Sequence, residues 1–277
     1  MSKYQYRQPC RELSGYIQYY WMLDIEEVCS SCEPHRLTPQ GFMEIVFYYR
    51  DSYKLILSDR EESHPRATLY GQRTGFIDIL PTGRVGLISV VFTPVGVRDI
   101  LHLPLNELTN QYVSLEEVLG REGKEIEERM TNLSGFDERV DDLETFLLGR
   151  LQRRNEFENN RMRMVMTRLL QCRGILNVDQ LAGYACLSKK QFERVFAVNV
   201  GLMPKQYLRV IRFLYTVEFR NRMPEADLAT LAFHAGYYDA AHLANEIKAL
   251  TGHTSSTLFQ LMCFSEDAES IEWFLGA

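Results

Sequence analysis

One spacing pattern occurs twice near the C-terminal end of this 277-residue chain. The first copy runs Ser188, Phe192, Phe196, Gly201, Pro204, Tyr207, and the second runs Asp239, Leu243, Ile247, Gly252, Ser255, Leu258. In both, successive positions lie four, four, five, three and three residues apart. A Leu-Ala pair precedes each copy, Leu181-Ala182 and Leu231-Ala232, and the second turn is one residue longer than the first. Such a repeat means one supersecondary unit built twice, each needing its neighbour to bury an apolar face.

The residue types say which unit. Ser188 and Asp239 are N-cap residues, whose side-chain oxygens accept from backbone N–H groups left open at a helix start. The pairs Phe192/Phe196 and Leu243/Ile247 are four apart, so each puts one face of its helix on a preceding helix. Ala182 and Ala232 allow close approach, Gly201 and Gly252 end the helices, and Pro204 suits the first position of the next one. A short helix, a tight turn and a capped second helix make a helix-turn-helix. In the first copy the polar positions after the cap are Lys189, Lys190, Gln191, Glu193 and Arg194. The N-terminal part of such a helix enters the major groove, where Arg and Lys read guanine and Gln reads adenine. Between the copies, residues 204–221 predict one helix about 27 Å long, with Lys205, Arg209, Arg212 and Arg220 near one face. That length is compatible with two recognition helices about one DNA turn apart.

Net charge supports a division of the chain. The whole carries −6, but residues 159–263 hold 13 Lys and Arg against 7 Asp and Glu, a net of +6, leaving −12 on the rest. A basic functional domain joined to an acidic one is expected. The fold class expected is α+β. In residues 1–153, the stretches Tyr16–Leu23, Phe42–Tyr49, Tyr53–Leu57, Ala67–Tyr70, Phe76–Leu80 and Leu87–Phe92 read as strands of an antiparallel barrel or sandwich. Two helices follow between Ser114 and Arg153, packed on the sheet or paired with a second subunit. Residues 154–160 have little to bury and read as a linker. Residues 161–263 form an all-α double helix-turn-helix domain of seven helices, and 264–277 an acidic tail.

The stretches LAGYACLSKKQFERVFAVNVGLMPKQYLRVIRF and LATLAFHAGYYDAAHLANEIKALTGHTSSTLFQ resemble the two halves of the AraC/XylS transcription regulators, with Gly236-Tyr237-Tyr238-Asp239-Ala240-Ala241-His242 the most specific segment. RLTPQGFMEIVF and VVFTPVGVRDIL are similar to a sensor-like domain carried by some bacterial members. The resemblance implies a sequence-specific regulator of bacterial origin that binds double-stranded DNA, a small-molecule effector, a homodimer as one assembly, and contact with RNA polymerase. The second half departs from the family pattern. Ala240 and Ala241 stand where a polar residue and then Ser or Thr are usual, and Leu243, Asn245, Ile247 and Ser255 replace an aromatic, Arg, Phe and Pro. It is expected to bind more weakly, through His242, Asn245, Lys248 and backbone. The full set of candidate DNA contacts is Ser188, Lys189, Lys190, Gln191, Arg194, Arg209, Arg212, His242, Asn245 and Lys248. A helical protein-interaction module that no longer reads DNA is the alternative.

Other patterns carry less. The aromatics Tyr4, Tyr6, Tyr16, Tyr19, Tyr20 and Trp21 suggest either strand packing or a ligand pocket, with Trp21, Arg36, Glu44 and Gln72 as candidate pocket residues. Cys29-Ser-Ser-Cys32 with His35 falls short of a zinc set even with Cys10 added, so reduced thiols and no metal are expected. No P-loop, Gly-x-Ser-x-Gly elbow, His-Glu-x-x-His or Rossmann glycine pattern is present, so neither an enzyme nor a cofactor is expected. With 45% hydrophobic residues, no run of about 18 apolar residues and no secretory leader, the expected location is the bacterial cytoplasm.

Overall fold

The computed structural model describes residues 2–25, 34–57, 60–151 and 156–262. Cys29, Cys32 and the tail 264–277 lie outside them. The chain divides into two compact units, and the division is not a single cut. Residues 1–37, 42–72 and 77–156 form the first unit, while 38–41 and 73–76 cluster with 157–277 in the second.

The first unit is built on two open antiparallel sheets. The strands are β1 (Ser2–Arg7), β2 (Ile17–Ile25), β3 (His35–Leu37), β4 (Glu44–Tyr48), β5 (Tyr53–Ile56), β6 (Glu61–Ser63), β7 (Ala67–Tyr70), β8 (Ile77–Pro81), β9 (Gly86–Phe92) and β10 (Tyr112–Ser114). One sheet has the order β1-β2-β9-β4-β7-β10 and the other β3-β8-β5-β6. Of the two architectures expected, the sandwich form is found, since neither sheet closes. All six stretches expected as strands lie on strands, whereas β1, β3, β6 and β10 are short or polar and carry no alternation signal.

Alternation sorts the large sheet into two faces. Met22, Ile45, Phe47, Leu69, Ile88 and Val90 point to one side, where they meet Ile126, Met130, Val140, Leu143 and Leu147. These last lie on α3 (Arg121–Asn132) and α4 (Phe136–Arg150), which follow the short helices α1 (Val97–Leu101) and α2 (Leu115–Leu119). The expected pair of helices is thus three, because Gly120, at φ 60°, breaks α2 from α3. They pack on the sheet of their own chain. Arg139, nearly fully buried, donates to the carbonyls of Met130 and Leu133 at the end of α3 and lies 3.9 Å from the Tyr49 ring centroid. On the other face Val46, Tyr48, Tyr70 and Leu87 meet Tyr53, Leu55, Ile77 and Ile79 of the second sheet.

The second unit contains α5 (Glu156–Gln171), α6 (Val178–Tyr184), α7 (Lys189–Val200), α8 (Pro204–Arg222), α9 (Leu228–His234), α10 (Ala240–Thr251) and α11 (Ser255–Met262). Residues 156–160 of the stretch read as a linker are the first turns of α5. Gly201 and Gly252 end α7 and α10 at φ 90° and 71°, a left-handed conformation that favours glycine. Phe192, Phe196, Leu243 and Ile247 are fully buried, as the repeat requires. Tyr207 on α8 is fully buried, its ring 5.7 Å from that of Phe196, and its hydroxyl donates to the Gly41 carbonyl at 2.9 Å.

Candidate nucleic-acid interface and the interior acid

The first helix-turn-helix is α6, Ala185–Ser188 and α7. Ser188 caps α7 through the Gln191 N–H, and the Gln191 side chain returns to the Ser188 N–H at 3.3 Å and hydroxyl at 2.9 Å. This is a capping box, so Gln191, expected to read adenine, is engaged at the helix start. Lys189 forms a 3.1 Å ion pair with Asp179 of α6, both well exposed. A pair so open to solvent is weak, and a phosphate can displace Asp179. Lys190 and Arg194 are exposed and, among the described residues, join no ion pair.

The second helix-turn-helix is α9, Ala235–Asp239 and α10. Asp239 accepts from the His242 N–H at 2.7 Å. The His242 ring accepts from the Tyr238 N–H at 3.4 Å and stands edge-on to Tyr237, so this candidate contact is partly held within the unit. Asn245 and Lys248 are exposed. Phe233 and Tyr238 are 80% and 92% exposed, which the sequence reading did not single out.

The connecting helix turns two of its cations inward. Arg209 makes a two-pronged ion pair with Glu246 of α10, at 2.7 and 3.1 Å. Arg212 lies 5.5 Å from the Tyr237 ring centroid, and burial pushes the Tyr237 phenol up to about 12. Both arginines, candidates for phosphate contact, therefore fasten α8 to the second half. Glu246 went unnoticed in the sequence because its partner lies on another helix.

In the first unit the candidate pocket residues separate. Pairing registers place Tyr19, Val91, Glu44, Tyr70 and Tyr112 in one transverse row, with Trp21 and Ser89 paired in the next. Glu44 shares the inward face with Val46 and Tyr48. Its carboxylate accepts from the Ser89 hydroxyl at 2.6 Å and from the Trp21 indole, and burial raises its pKa above the usual carboxylate value. Trp21 and Glu44 thus come together. Arg36 does not join them, being held by Asp78 of the second sheet in two contacts of 2.7 Å. Gln72 is buried beyond the end of β7, where its carbonyl accepts from the Asn110 N–H. Tyr70 and Ser89 were missed; strand parity from Leu87 would have found Ser89, whereas Tyr70 reaches this row through the register of β7 against β4. Tyr70 bonds Tyr48 at 2.9 Å and His64 at 3.2 Å. Among the described residues no group of His, Cys, Asp and Glu is arranged to hold a metal ion, and no helix is long and apolar enough to cross a membrane.

Two capped helix-turn-helix modules joined by a long helix make the second unit a double helix-turn-helix domain. Residues 181–260 match the family described as "Helix-turn-helix domain". Residues 5–114, spanning most of the strands, match "Domain of unknown function (DUF6597)". No curated protein matches the chain. Among solved structures the chain is similar to ToxT from Vibrio cholerae O395, at 9% identity and a TM-score of 0.46, over 95% of this chain and 99% of that one. ToxT bound to (E)-4-(8-methylnaphthalen-1-yl)but-3-enoic acid gives 10% identity and 0.47 over 95% and 98%. The AraC-like transcriptional activator CuxR gives 12% and 0.28 over 76% and 86%.

Proposed function

We propose that this chain is a sequence-specific transcription regulator of the bacterial cytoplasm, binding duplex DNA through α7 and α10 and sensing a small molecule in its β-rich unit. One observation carries the DNA reading. Lys190 and Arg194, exposed and uncommitted, follow the capped start of α7 within a repeated helix-turn-helix. An Arg or Lys there reaches guanine edges, and further cations neutralise phosphates. Lys189, Asn245 and Lys248 add contacts, and His242 adds one if its internal bond to Tyr238 opens. Ser188 acts as the helix cap.

Control by an effector requires that it prefer one of two states. The chain supplies a route. Residues 38–41, within the helical unit, lead straight into β4 and Glu44, and β7 with Tyr70 leads into 73–76, also within that unit. Pairing into a homodimer and contact with RNA polymerase belong to the same reading and rest on the resemblance alone.

A gel-shift titration on a promoter fragment tests it. Affinity falling steeply with salt, and lost on Lys190→Ala with Arg194→Ala, is expected. A shift absent at low salt favours the interaction-module reading, for which the exposed Phe233 and Tyr238 are the supporting observation.

A further inference from the structure

We propose that the two halves of the helical unit read different base pairs, so that the duplex it selects has a G·C block under α7 and an A·T block under α10. In the second block Asn245 holds an adenine edge and Ala241 packs on a thymine methyl group. This rests on the DNA-binding reading above and names the class of sequence that reading requires.

The repeat sets the two helices in register. Ser188 and Asp239 cap them in the same way, each accepting from the backbone N–H three residues on. Both helices have 12 residues and end on a left-handed glycine, so they align residue for residue. Lys190 and Arg194, the second and sixth residues of α7, are exposed. The second and sixth residues of α10 are Ala241 and Asn245, also exposed. The positions that carry guanine reading in one half are therefore filled by a methyl group and an amide in the other.

Base chemistry says what that pair can recognise. Guanine shows two acceptors to the major groove and is read by Arg or Lys. Adenine shows an acceptor beside a donor and is matched by the Asn amide, which carries one of each, while the thymine methyl is met by an apolar contact such as alanine. The rest of α10 does not compete with this reading. It contains no Arg, and Lys248 lies in its last turn, away from the end that enters the groove. Glu246, the one acid able to accept from cytosine, is held by Arg209 at 2.7 and 3.1 Å. The His242 ring accepts from the Tyr238 N–H at 3.4 Å, which leaves its other nitrogen as a single donor. One donor meets thymine O4 or the N7 of either purine and does not tell the pairs apart. Ala241 and Asn245 are four residues apart on one face, with Cβ atoms separated by about 6 Å. At about 3.4 Å per base pair, they meet a thymine and an adenine one or two steps apart.

The test is selection by the full chain from a library of random duplex DNA, followed by titration of the selected duplex. Two blocks of preferred bases about one helical turn apart are expected, one containing guanine and one made of A·T pairs. Asn245→Arg gives α10 the residue that α7 has there. It should convert one A·T pair of the second block to G·C and leave the first block alone. Deoxyuridine in place of thymine removes only the methyl group. At the contacted thymine it should weaken binding about three- to fourfold, the worth of one buried methyl, and at thymines outside the second block it should change nothing. Ala241→Gly should remove that penalty. A G·C preference in both blocks, no base preference in the second, or equal affinity for the uracil and thymine duplexes overturns the A·T reading and leaves DNA binding standing. No enrichment of any sequence overturns both.

Discussion

The two halves of the helical unit share a backbone plan and differ in how they spend their side chains. In the first half the helix after the turn starts with Lys189, Lys190 and Arg194 exposed, over a core of two phenylalanines whose rings meet at a tilt, 5.4 Å apart. In the second half Ala240, Ala241 and Asn245 hold corresponding positions, the core is Leu243 and Ile247, and large exposed rings, Phe233 and Tyr238, stand near the turn. The cations that could have served the second half from α8, Arg209 and Arg212, are turned to Glu246 and Tyr237. Capping and burial fix the shape of a helix-turn-helix, while the residues left over after folding decide how hard it grips a charged polymer. On the DNA-binding reading proposed above, the same fold serves as a gripping half and a bracing half.

The largest expected effect lies in the core. Phe196→Ala should cost about 3–5 kcal/mol of folding stability, and more than Ile247→Ala, in denaturant titrations of the full chain. Equal losses would show that the aromatic pair adds nothing particular to the first half. Next comes DNA. Arg194→Ala should cost about 1–3 kcal/mol of specific affinity and relax preference at one base pair, with Asn245→Ala costing less. Matching losses at fixed salt would erase the distinction between gripping and bracing. Ser188→Ala and Asp239→Ala should each lower stability by about 1 kcal/mol. Gln191→Ala should lower it less and leave base preference untouched, so a changed preference would return Gln191 to the reading face. The smallest effect is in salt dependence. Lys190→Ala should reduce the slope of log affinity against log salt by about 1, while Tyr238→Ala leaves it unchanged.

Much of this was legible in the sequence, for different reasons in different places. The repeat placed α6, α7, α9 and α10, their caps and their buried pairs, because those features are local and periodic. β2, β4 and β9 were legible from apolar and aromatic runs bounded by turn residues. β1 was not, since Ser2–Arg7 is polar and gains its place by pairing with β2. The contacts of Arg209 and Arg212 with Glu246 and Tyr237 were not legible, because a helical wheel shows a charged face without showing what packs on it. The capping role of Gln191 was legible too, as Ser-x-x-Gln is itself a capping pattern. Glu44 was a candidate pocket residue, but that Ser89 and Trp21 would be its donors depends on strand register, which no single segment encodes.

The hydrogen bond from Tyr207 to Gly41 bears on how such a protein can be cut apart. A fragment starting at residue 157 keeps every helix of the second unit and discards the carbonyl that this enclosed phenol needs. A polar group stranded in that way costs about 1–3 kcal/mol. Anyone grafting the helical half onto a foreign partner should carry along a short peptide to stand in for 38–41, or replace Tyr207 with Phe, so that the transplant does not begin its life with an unanswered hydroxyl.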